Sequence, residues 1–408
     1  MSENSINYTW KNNIAKFLTA QTVSLLGSSL VQYAIVWYIT LTTSSGKMVT
    51  LSTVCGFAPQ IIVSLFSGVW IDRYSRKKLI MLSDSAIALS TLFLAVSFLS
   101  GHRDIRLLFG VLIIRSVGTG IQTPAVNAVI PQIVPQPSLM RINGINSTLS
   151  SVIMFLSPAV SGALLSFCSL EATLFIDVAT AIIGVGITAT VRIRKLPESE
   201  RAAVQNTYLH QIREGFYYLK NNRFIRSLLL FQLAILFLIS PSAFLTPLMV
   251  SRTFGSQVWR LSASEMTYSL GMILGGLLIT AWGGFKRRLD TTMAAGACYG
   301  MLMAGMGLAP WFPLYLFFNM LVGVTSPCYS SPITVTIQES VEPGIQGRIF
   351  SFMQISTSCA LPLGMMFFGP LADQVRIQTL LIVNGILVLC VIYGFYRTAF
   401  REGKSGLS

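Results

Sequence analysis

Long apolar runs without a charged residue recur along this chain, and they constrain its fold more than any other feature. The first runs from Phe17 to Leu41. A helix needs about 20 mainly apolar residues to cross the hydrocarbon core of a bilayer. The run is also longer than the apolar core of a secretory signal peptide. We therefore expect a retained membrane span here and more spans downstream.

The composition agrees with a chain that is surrounded by lipid. Of its 408 residues, 53% are hydrophobic and only 11% are charged, and the mean hydropathy is +0.66. Soluble domains carry about 25% charged residues. The net charge of +14 would suit a nucleic-acid partner. However, the lysines and arginines lie in short clusters between apolar runs, without an RNA- or DNA-binding motif, so no nucleic-acid partner is expected.

Twelve stretches have the length and apolar character of a membrane span, six on each side of the longest polar segment, Arg192 to Arg226. We expect an all-α membrane protein with twelve transmembrane helices. A single span is expected at 225–250, and a turn at Pro310–Pro313 divides a long uncharged stretch in two. The candidate spans are residues 15–41, 48–71, 79–100, 106–130, 140–167, 171–191, 225–250, 260–284, 290–309, 311–334, 348–371 and 377–397.

Landmarks repeat between the two halves at an offset close to half the chain length. The basic cluster 76–78 matches 286–288, Pro124 matches Pro332, and Arg141 matches Arg348. This spacing indicates a duplicated six-helix unit, which is one of the repeat plans of transporters. Residues 1–191 and 225–408 would form two pseudo-symmetric bundles. Most of the 29 lysines and arginines fall in loops on one side, which predicts cytoplasmic termini.

The segment 192–224 is expected to be a cytoplasmic linker containing an amphipathic surface helix. Leu209, Ile212, Phe216 and Leu219 would lie on one face of that helix.

The loop after the second span carries a distinctive set of residues. A glycine, an Asp-Arg pair and a basic cluster follow one another, which resembles the signature loop of the major facilitator superfamily. The resemblance implies the fold of that superfamily and a latch that gates transport, with the glycine allowing a helix to approach closely. A plain cytoplasmic loop would explain the basic cluster equally well. The residues are Gly68, Asp72, Arg73, Arg76, Lys77 and Lys78.

Arg115 lies near the middle of the fourth span, where an arginine costs about 2.5–3.5 kcal/mol on insertion scales unless it has a partner or a polar cavity. Its surroundings resemble the arginine motif of the superfamily's fourth span, which implies proton coupling. A fixed ion pair between helices is the alternative.

Three acids lie within or at the ends of predicted spans. Asp177 is the first candidate for the acid that exchanges protons, and Glu265 is the second. Asp84 is expected to pair with basic residues of the loop between spans 2 and 3.

The fifth span contains Pro158 and Gly162 within Ser-Pro-Ala-Val-Ser-Gly. This resembles the antiporter motif of the superfamily, with serine at two glycine positions, and it implies export rather than import. Ordinary close packing of helices is the alternative.

Polar and aromatic residues mark the four spans that line the central cavity in the resembled fold, which are spans 1, 4, 7 and 10. They would suit a bulky, amphiphilic substrate, although an aromatic residue in such a span can also face lipid. The cavity candidates are Gln21, Gln32, Tyr33, Gln122, Phe231, Gln232, Phe318 and Asn319.

An enzyme is not expected, because the chain has neither a Ser/His/Asp set nor a cluster of metal ligands. The six cysteines lack C-x-x-C spacing and are interpreted as small apolar residues. No Walker A sequence is present, so no cofactor or direct use of ATP is expected. A partner ATPase remains an open alternative.

Within the superfamily, five stretches resemble bacterial macrolide efflux proteins: 114–119, 123–129, 157–160, 175–178 and 283–285. The resemblance implies a monomer in the bacterial plasma (inner) membrane that exports macrolides such as erythromycin, a class of small amphiphilic drug, in exchange for protons. It also implies macrolide resistance. The alternatives are export of a siderophore or another drug, import of a nutrient, and a membrane receptor that does not transport.

Overall fold

The computed structural model describes residues 3–193, 217–218 and 220–405. All regular elements within these ranges are helices, in agreement with the all-α prediction. The linker positions Leu209, Ile212, Phe216 and Leu219 lie outside the described residues. The helices are α1 (Glu3–Thr43), α2 (Gly46–Arg73), α3 (Arg76–Leu99), α4 (Ile105–Ile133), α5 (Leu139–Phe167), α6 (Leu170–Thr190), α7 (Arg223–Phe244), α8 (Thr246–Thr253), α9 (Val258–Trp282), α10 (Arg288–Leu308), α11 (Phe312–Ser340), α12 (Pro343–Leu371) and α13 (Ile377–Ser405), with a short 3₁₀ helix at Gln136–Ser138.

Nine helices within the described ranges are long and apolar enough to cross a membrane: α1 to α7, α12 and α13. Helices α9, α10 and α11 have 25, 21 and 29 residues and fall outside that set. The predicted turn at Pro310–Pro313 is confirmed, because α10 ends at Leu308 and α11 begins at Phe312.

The single span expected at 225–250 is divided in two. Helix α7 ends at Phe244 and α8 begins at Thr246, with Pro247 in its first turn. A proline has no N–H to donate to the carbonyl four residues earlier, and its ring clashes with that carbonyl inside a helix. The prediction of one continuous helix was therefore wrong at this point.

The chain forms two compact units. The first contains Met1–Ile39 and Leu51–Thr207, and the second contains Thr40–Thr50 and Tyr208–Ser408. In the first unit α3 packs against both α4 and α6. Its buried apolar side chains form two clusters, one around Leu94 and Leu112 and the other around Phe17 and Ile130.

In the second unit α9 packs along α11, and α10 packs against α11 and α13. Helix α12 packs against α7. The residues that join α1 to α2 belong to this unit, where Val49 contributes to the apolar cluster around Met303 and Met365.

A polar cluster holds the α1–α2 connection within the second unit. Asp373, between α12 and α13, accepts hydrogen bonds from the backbone N–H groups of Gly46 (2.6 Å) and Lys47 (3.0 Å) and from Ser45 Oγ (2.9 Å). Arg252 Nη2 lies 2.8 Å from Asp373 Oδ1. The first N–H groups of a helix have no partner within the helix, so Asp373 caps the start of α2.

Candidate functional site

The first unit contains an open cavity of about 530 Å³ between helices α1, α2, α4 and α5. Four of the predicted cavity residues line it: Gln21, Gln32, Tyr33 and Gln122. Its wall thus combines side-chain amides and hydroxyls with apolar side chains. This is the mixture that small-molecule sites use to bind and orient a ligand.

Arg115 on α4 also lines this cavity, and it forms a buried ion pair with Asp177 on α6. Arg115 Nη1 lies 2.5 Å from Asp177 Oδ2, and the two residues are 5% and 1% exposed. The structure therefore joins two residues that the sequence marked separately. A partner of opposite charge offsets much of the cost of burying an arginine in a membrane span.

Helices α1 and α3 complete the hydrogen bonding of this pair. Arg115 donates to Thr91 Oγ1 at 2.7 Å and to the carbonyl oxygen of Ser28 at 2.9 Å. Asp177 accepts from Thr91 at 3.0 Å and from Ser28 Oγ at 3.4 Å. Four helices therefore converge on one ion pair, which fixes both side chains.

A second polar contact lies at Asp84 on α3, which is 3% exposed. Its Oδ1 accepts hydrogen bonds from Gln122 Nε2 at 2.5 Å and from Ser24 Oγ at 3.2 Å. The expected pairing of Asp84 with basic residues of the α2–α3 loop was wrong. The buried carboxyl faces α1 and α4 instead.

The two contacts follow from regular helix spacing. Asp84 and Thr91 are seven residues apart on α3, and Arg115 and Gln122 are seven apart on α4. Seven residues are about two helical turns, so each pair lies on one face of its helix. Within the first unit, the contacts between α3 and α4 therefore occur at two levels about 10 Å apart along the helices.

The basic cluster after α2 binds backbone carbonyl groups. Arg76 Nη1 donates to the carbonyl of Ala128 at 2.6 Å. Lys77 Nζ donates to the carbonyls of Ala189 (2.6 Å) and Val191 (2.9 Å), at the end of α6. Helix C-termini leave carbonyl groups without an internal partner and favour cations, so Lys77 caps α6.

The other residues of the predicted gating loop lie at the end of α2 and the start of α3. Arg73 closes α2, and Lys78 lies in the first turn of α3. The side chain of Asp72 lies outside the described part of the structure. Among the described atoms, none lies within 4 Å of a Cβ placed on Gly68, so the close helix approach expected at this glycine is not observed.

Pro158 and Gly162 are buried on α5. Between them, Ser161 Oγ donates to the carbonyl of Leu30 on α1 at 3.1 Å. The segment therefore lies where α5 packs on α1, one of the other helices that line the cavity.

The candidates on α7 lie in the interior of the second unit. The ring of Phe231 stacks on Phe395 at 4.4 Å between centroids, within an apolar cluster. Gln232 is buried beside it, and among the described residues its Oε1 has no hydrogen-bond partner.

The candidates on α9 and α11 also belong to the second unit. Asn319 donates to the carbonyl of Ser264 at 2.6 Å, and the Phe318 ring lies 6.1 Å from that of Phe317. Glu265 is partly buried on α9.

The described residues contain no group of three or more His, Cys, Asp or Glu side chains that could hold a metal ion. All six cysteines are free, and Cys55 and Cys328 are buried.

Sequence reasoning missed three residues of this site: Ser24, Ser28 and Thr91. Each is a small hydroxyl residue in an apolar span, where such residues also serve simple helix packing. The seven-residue spacing of Asp84 and Thr91 was a usable signal, because it places an acid and a hydroxyl on one helix face.

Comparison with known proteins places this chain in a family. The sequence model of the Major Facilitator Superfamily matches residues 17–358. The chain is 31% identical over 384 residues to macrolide efflux protein A of Streptococcus pyogenes, covering 94% of this chain and 95% of the relative. It is also 31% identical to macrolide efflux protein A of Enterococcus faecalis, covering 78% and 99%.

A solved structure shares the fold. The bacterial homologue of the human lysosomal transporter Spinster, in an inward-facing and unoccupied conformation, superposes with a TM-score of 0.70 at 14% identity, covering 98% of each chain. With a family match over most of the sequence and a relative at 31% identity, the chain belongs to the Major Facilitator Superfamily and is a multi-pass membrane transporter related to bacterial macrolide efflux proteins.

Proposed function

We propose that this chain is a secondary active transporter that exports macrolide-type antibiotics in exchange for protons and so confers macrolide resistance. The observation that carries the proposal is the similarity to macrolide efflux protein A, which extends over nearly the whole chain. A match of that extent includes the helices that surround the cavity as well as the signature loop.

The wall of the cavity in the first unit has the chemical character that an amphiphilic substrate requires. Amide groups of Gln21, Gln32 and Gln122 lie in its wall together with Tyr33 and Phe57. A macrolide has an apolar ring that carries hydroxyl groups and sugars, so it needs apolar contact area and several hydrogen-bonding partners. Phe231, Gln232, Phe318 and Asn319 are proposed to supply substrate contacts from the second unit.

Proton exchange is proposed to use ionisable groups within the spans, where carrying a charge costs free energy. Arg115 and Asp177 are paired beside the cavity, and Glu265 on α9 is a further candidate acid. A charge in a low-dielectric region interacts strongly with its surroundings, so a change in protonation can alter the balance between two conformations.

The mechanism we propose is alternating access between two six-helix bundles, residues 1–191 and 225–408, joined by a linker at 192–224. Twelve spans follow if α9, α10 and α11 cross the membrane with the nine more apolar helices, and their lengths of 21 to 29 residues are sufficient. The residues Gly68, Asp72, Arg73, Arg76, Lys77 and Lys78 would gate this movement, and Pro158 and Gly162 would favour export.

The proposed location is the bacterial plasma membrane, with both termini in the cytoplasm and one chain as the working unit. Substrate would enter from the cytoplasm or the inner leaflet. Protons entering from outside would then reset the carrier.

Expression in a bacterial host that lacks its own drug pumps tests the proposal. We expect the chain to lower susceptibility to erythromycin and to reduce cellular accumulation of the labelled drug. Cells with the empty vector are the control. Unchanged susceptibility with the protein present in the membrane would contradict macrolide export, and protection against a siderophore or another drug class would favour the corresponding alternative.

A further inference from the structure

We propose that Asp84, rather than Asp177, is the carboxyl group that takes up and releases the exchanged proton, and that Gln122 and Ser24 connect it to the cavity. This inference rests on the proton exchange proposed above and replaces Asp177 with Asp84 as the acid that carries it. It begins from the difference between the two buried aspartates of the first unit.

The negative charge of Asp177 is already balanced by the positive charge of Arg115. Its Oδ2 pairs with Arg115 Nη1, and Thr91 and Ser28 donate to its two oxygens. Adding a proton to this carboxylate would leave the guanidinium of Arg115 buried without its counter-charge. Breaking a buried ion pair in this way is strongly unfavourable. The pair is therefore suited to positioning four helices and poorly suited to cycling a proton.

Asp84 has the opposite surroundings. Its Oδ1 accepts two hydrogen bonds, from Gln122 and Ser24. Its Oδ2 is buried, and the described residues offer that atom no hydrogen-bond partner. An ionised carboxylate without a cation is costly in such a place, whereas a protonated carboxyl carries its hydrogen on the oxygen that has no donor.

The groups that face Asp84 from the neighbouring helices are largely neutral. Ser24 lies on α1 and Gln122 on α4. Within the described part of the chain, the charged group that acts on Asp84 through space is Asp177 on α6, which is paired with Arg115. No described cation forms an ion pair with Asp84, so its own protonation state sets the charge at this level of the unit.

Both partners of Asp84 line the cavity of about 530 Å³. A proton can therefore pass between the carboxyl and water in the cavity across a single layer of side chains. The step is a simple acid dissociation, in which the O–H bond of the carboxyl breaks, water accepts the proton, and the carboxyl changes from neutral to −1. The hydrogen bonding of the cavity wall changes with the charge of Asp84, because the amide of Gln122 donates more strongly to a carboxylate than to a neutral carboxyl.

The charge of Asp84 thus controls a side chain that would contact substrate. When the carboxyl is ionised, the amide N–H of Gln122 is held by Asp84. When the carboxyl is protonated, that N–H is more easily released to a hydroxyl or carbonyl group of the drug. Proton binding and drug binding would be linked through Gln122.

Infrared difference spectroscopy of the purified full-length protein in lipid nanodiscs tests this assignment without any drug. Comparing acidic with alkaline buffer, the wild type should show a band from a buried carboxyl that loses its proton. Asp84→Asn should remove that band. Glu265→Gln and the double variant Arg115→Gln/Asp177→Asn, which removes the ion pair without leaving one charge unpaired, should leave it in place. A band that persists in Asp84→Asn, or one that either control removes, would overturn the proposal.

Gln122→Leu is a second test of the proposal that does not depend on whether Asp84→Asn folds. It retains the carboxyl but removes its closer hydrogen-bond donor. The band should remain, and its midpoint should move to higher pH because the ionised form loses a hydrogen bond. An unchanged midpoint would contradict the link between Gln122 and Asp84.

A transport arm separates this proposal from the function on which it rests. In vesicles, Asp84→Asn should still exchange labelled erythromycin for unlabelled drug but should lose uphill accumulation at least tenfold. Uphill accumulation at the wild-type level would overturn the role of Asp84. If the wild type moves no macrolide while Asp84 titrates, the proposed function fails and the infrared assignment stands.

Discussion

The Arg115–Asp177 pair shows what one ion pair does in a helical membrane protein. A charge on either residue alone would be costly in a buried position, and together the two residues hold α1, α3, α4 and α6 at one point. Such a pair is weak evidence for net stability, since the desolvation of two charges offsets their attraction. Removing only one of the two charged side chains is nevertheless costly, because the other charge then stays buried without a partner.

We therefore predict that Arg115→Gln abolishes transport and destabilises the protein by about 3–5 kcal/mol, the cost of breaking a buried pair. Adding Asp177→Asn to the same chain should recover much of this stability while transport remains absent. Thermal unfolding of both purified variants measures the first effect, and drug accumulation measures the second. A double variant no more stable than the single one would show that the pair is not a source of the loss.

The sequence predicted the members of this site better than their partners. The cost of a charge in a span identifies Arg115 and Asp177 from the sequence alone. It does not show that they meet, because the two residues are 62 positions apart in the chain and the rotation of α4 and α6 about their axes depends on tertiary packing. Asp84 was misinterpreted for the same reason, since a nearby basic loop is visible in the sequence and the facing amide of Gln122 is not.

Among the elements, the contact between α9 and α11 depends on glycine. A Cβ on Gly275 would lie 2.8 Å from the Cα of Val324, and Gly271 faces the carbonyl of Met320 in the same way. Helices in lipid associate through such close packing, because lipid tails offer no hydrophobic driving force between them.

Gly275→Ala should consequently destabilise the second unit, by about 1–3 kcal/mol as for other overpacked interiors. The adjacent Gly276→Ala is the matched control, since no atom of the described residues lies within 4 Å of its Cβ position. Thermal unfolding in detergent compares the two variants. Equal unfolding temperatures would contradict the packing described for α9 and α11.

The start of α2 depends on Asp373. Burial raises the pKa of this carboxyl, but hydrogen bonds from the backbone of Lys47 and Gly46, from Ser45 and from Arg252 outweigh that effect and hold the pKa below its ordinary value of 3.8. A lowered pKa means that the stabilisation is complete above the ordinary pKa and is lost as the pH falls through the lower, folded value.

We predict that amide exchange at Gly46 and Lys47 is as slow in mildly acidic buffer as at neutral pH, after correction for the intrinsic rate, and accelerates only below the ordinary pKa. Asp373→Ala should accelerate exchange at all pH values, because the N–H groups of Gly46 and Lys47 lose their acceptor. Hydrogen exchange followed by mass spectrometry gives both results. A loss of protection near neutral pH in the wild type would contradict this assignment.

Most helix boundaries followed from apolar length. The predicted span 106–130 corresponds to α4 (Ile105–Ile133), and 171–191 corresponds to α6 (Leu170–Thr190). The break between α7 and α8 was missed because the apolar character continues across it. There the missing N–H and the ring of Pro247 override hydropathy.

On the scale of the whole molecule, the spacing of the basic clusters predicts that 76–78 and 286–288 lie on the same side of the membrane. Single cysteines placed at Lys77 and Lys286, in a chain whose six native cysteines have been replaced, should react alike with an impermeant thiol reagent. A cysteine at Lys47 is the control for the other side. Labelling of Lys77 and Lys286 from opposite sides would contradict the duplicated arrangement.

The predicted duplication rests on the spacing of charged loops and prolines, which can persist even when the helices between them diverge. The proposed substrate rests on resemblance alone, since amides and aromatic rings in a cavity suit many amphiphilic molecules. The cavity lining also included α2 and α5, helices that the fourfold pattern of spans 1, 4, 7 and 10 did not single out.

Transport by the purified protein in sealed lipid vesicles tests the central claim most directly. With a proton gradient imposed across the membrane, labelled erythromycin should accumulate on the side of higher proton concentration, above its concentration on the other side, and a protonophore should abolish that accumulation. Vesicles carrying the double variant Arg115→Gln/Asp177→Asn, which should fold but not transport, provide the background. Accumulation that survives collapse of the gradient, or no accumulation above this background, would contradict macrolide export driven by protons.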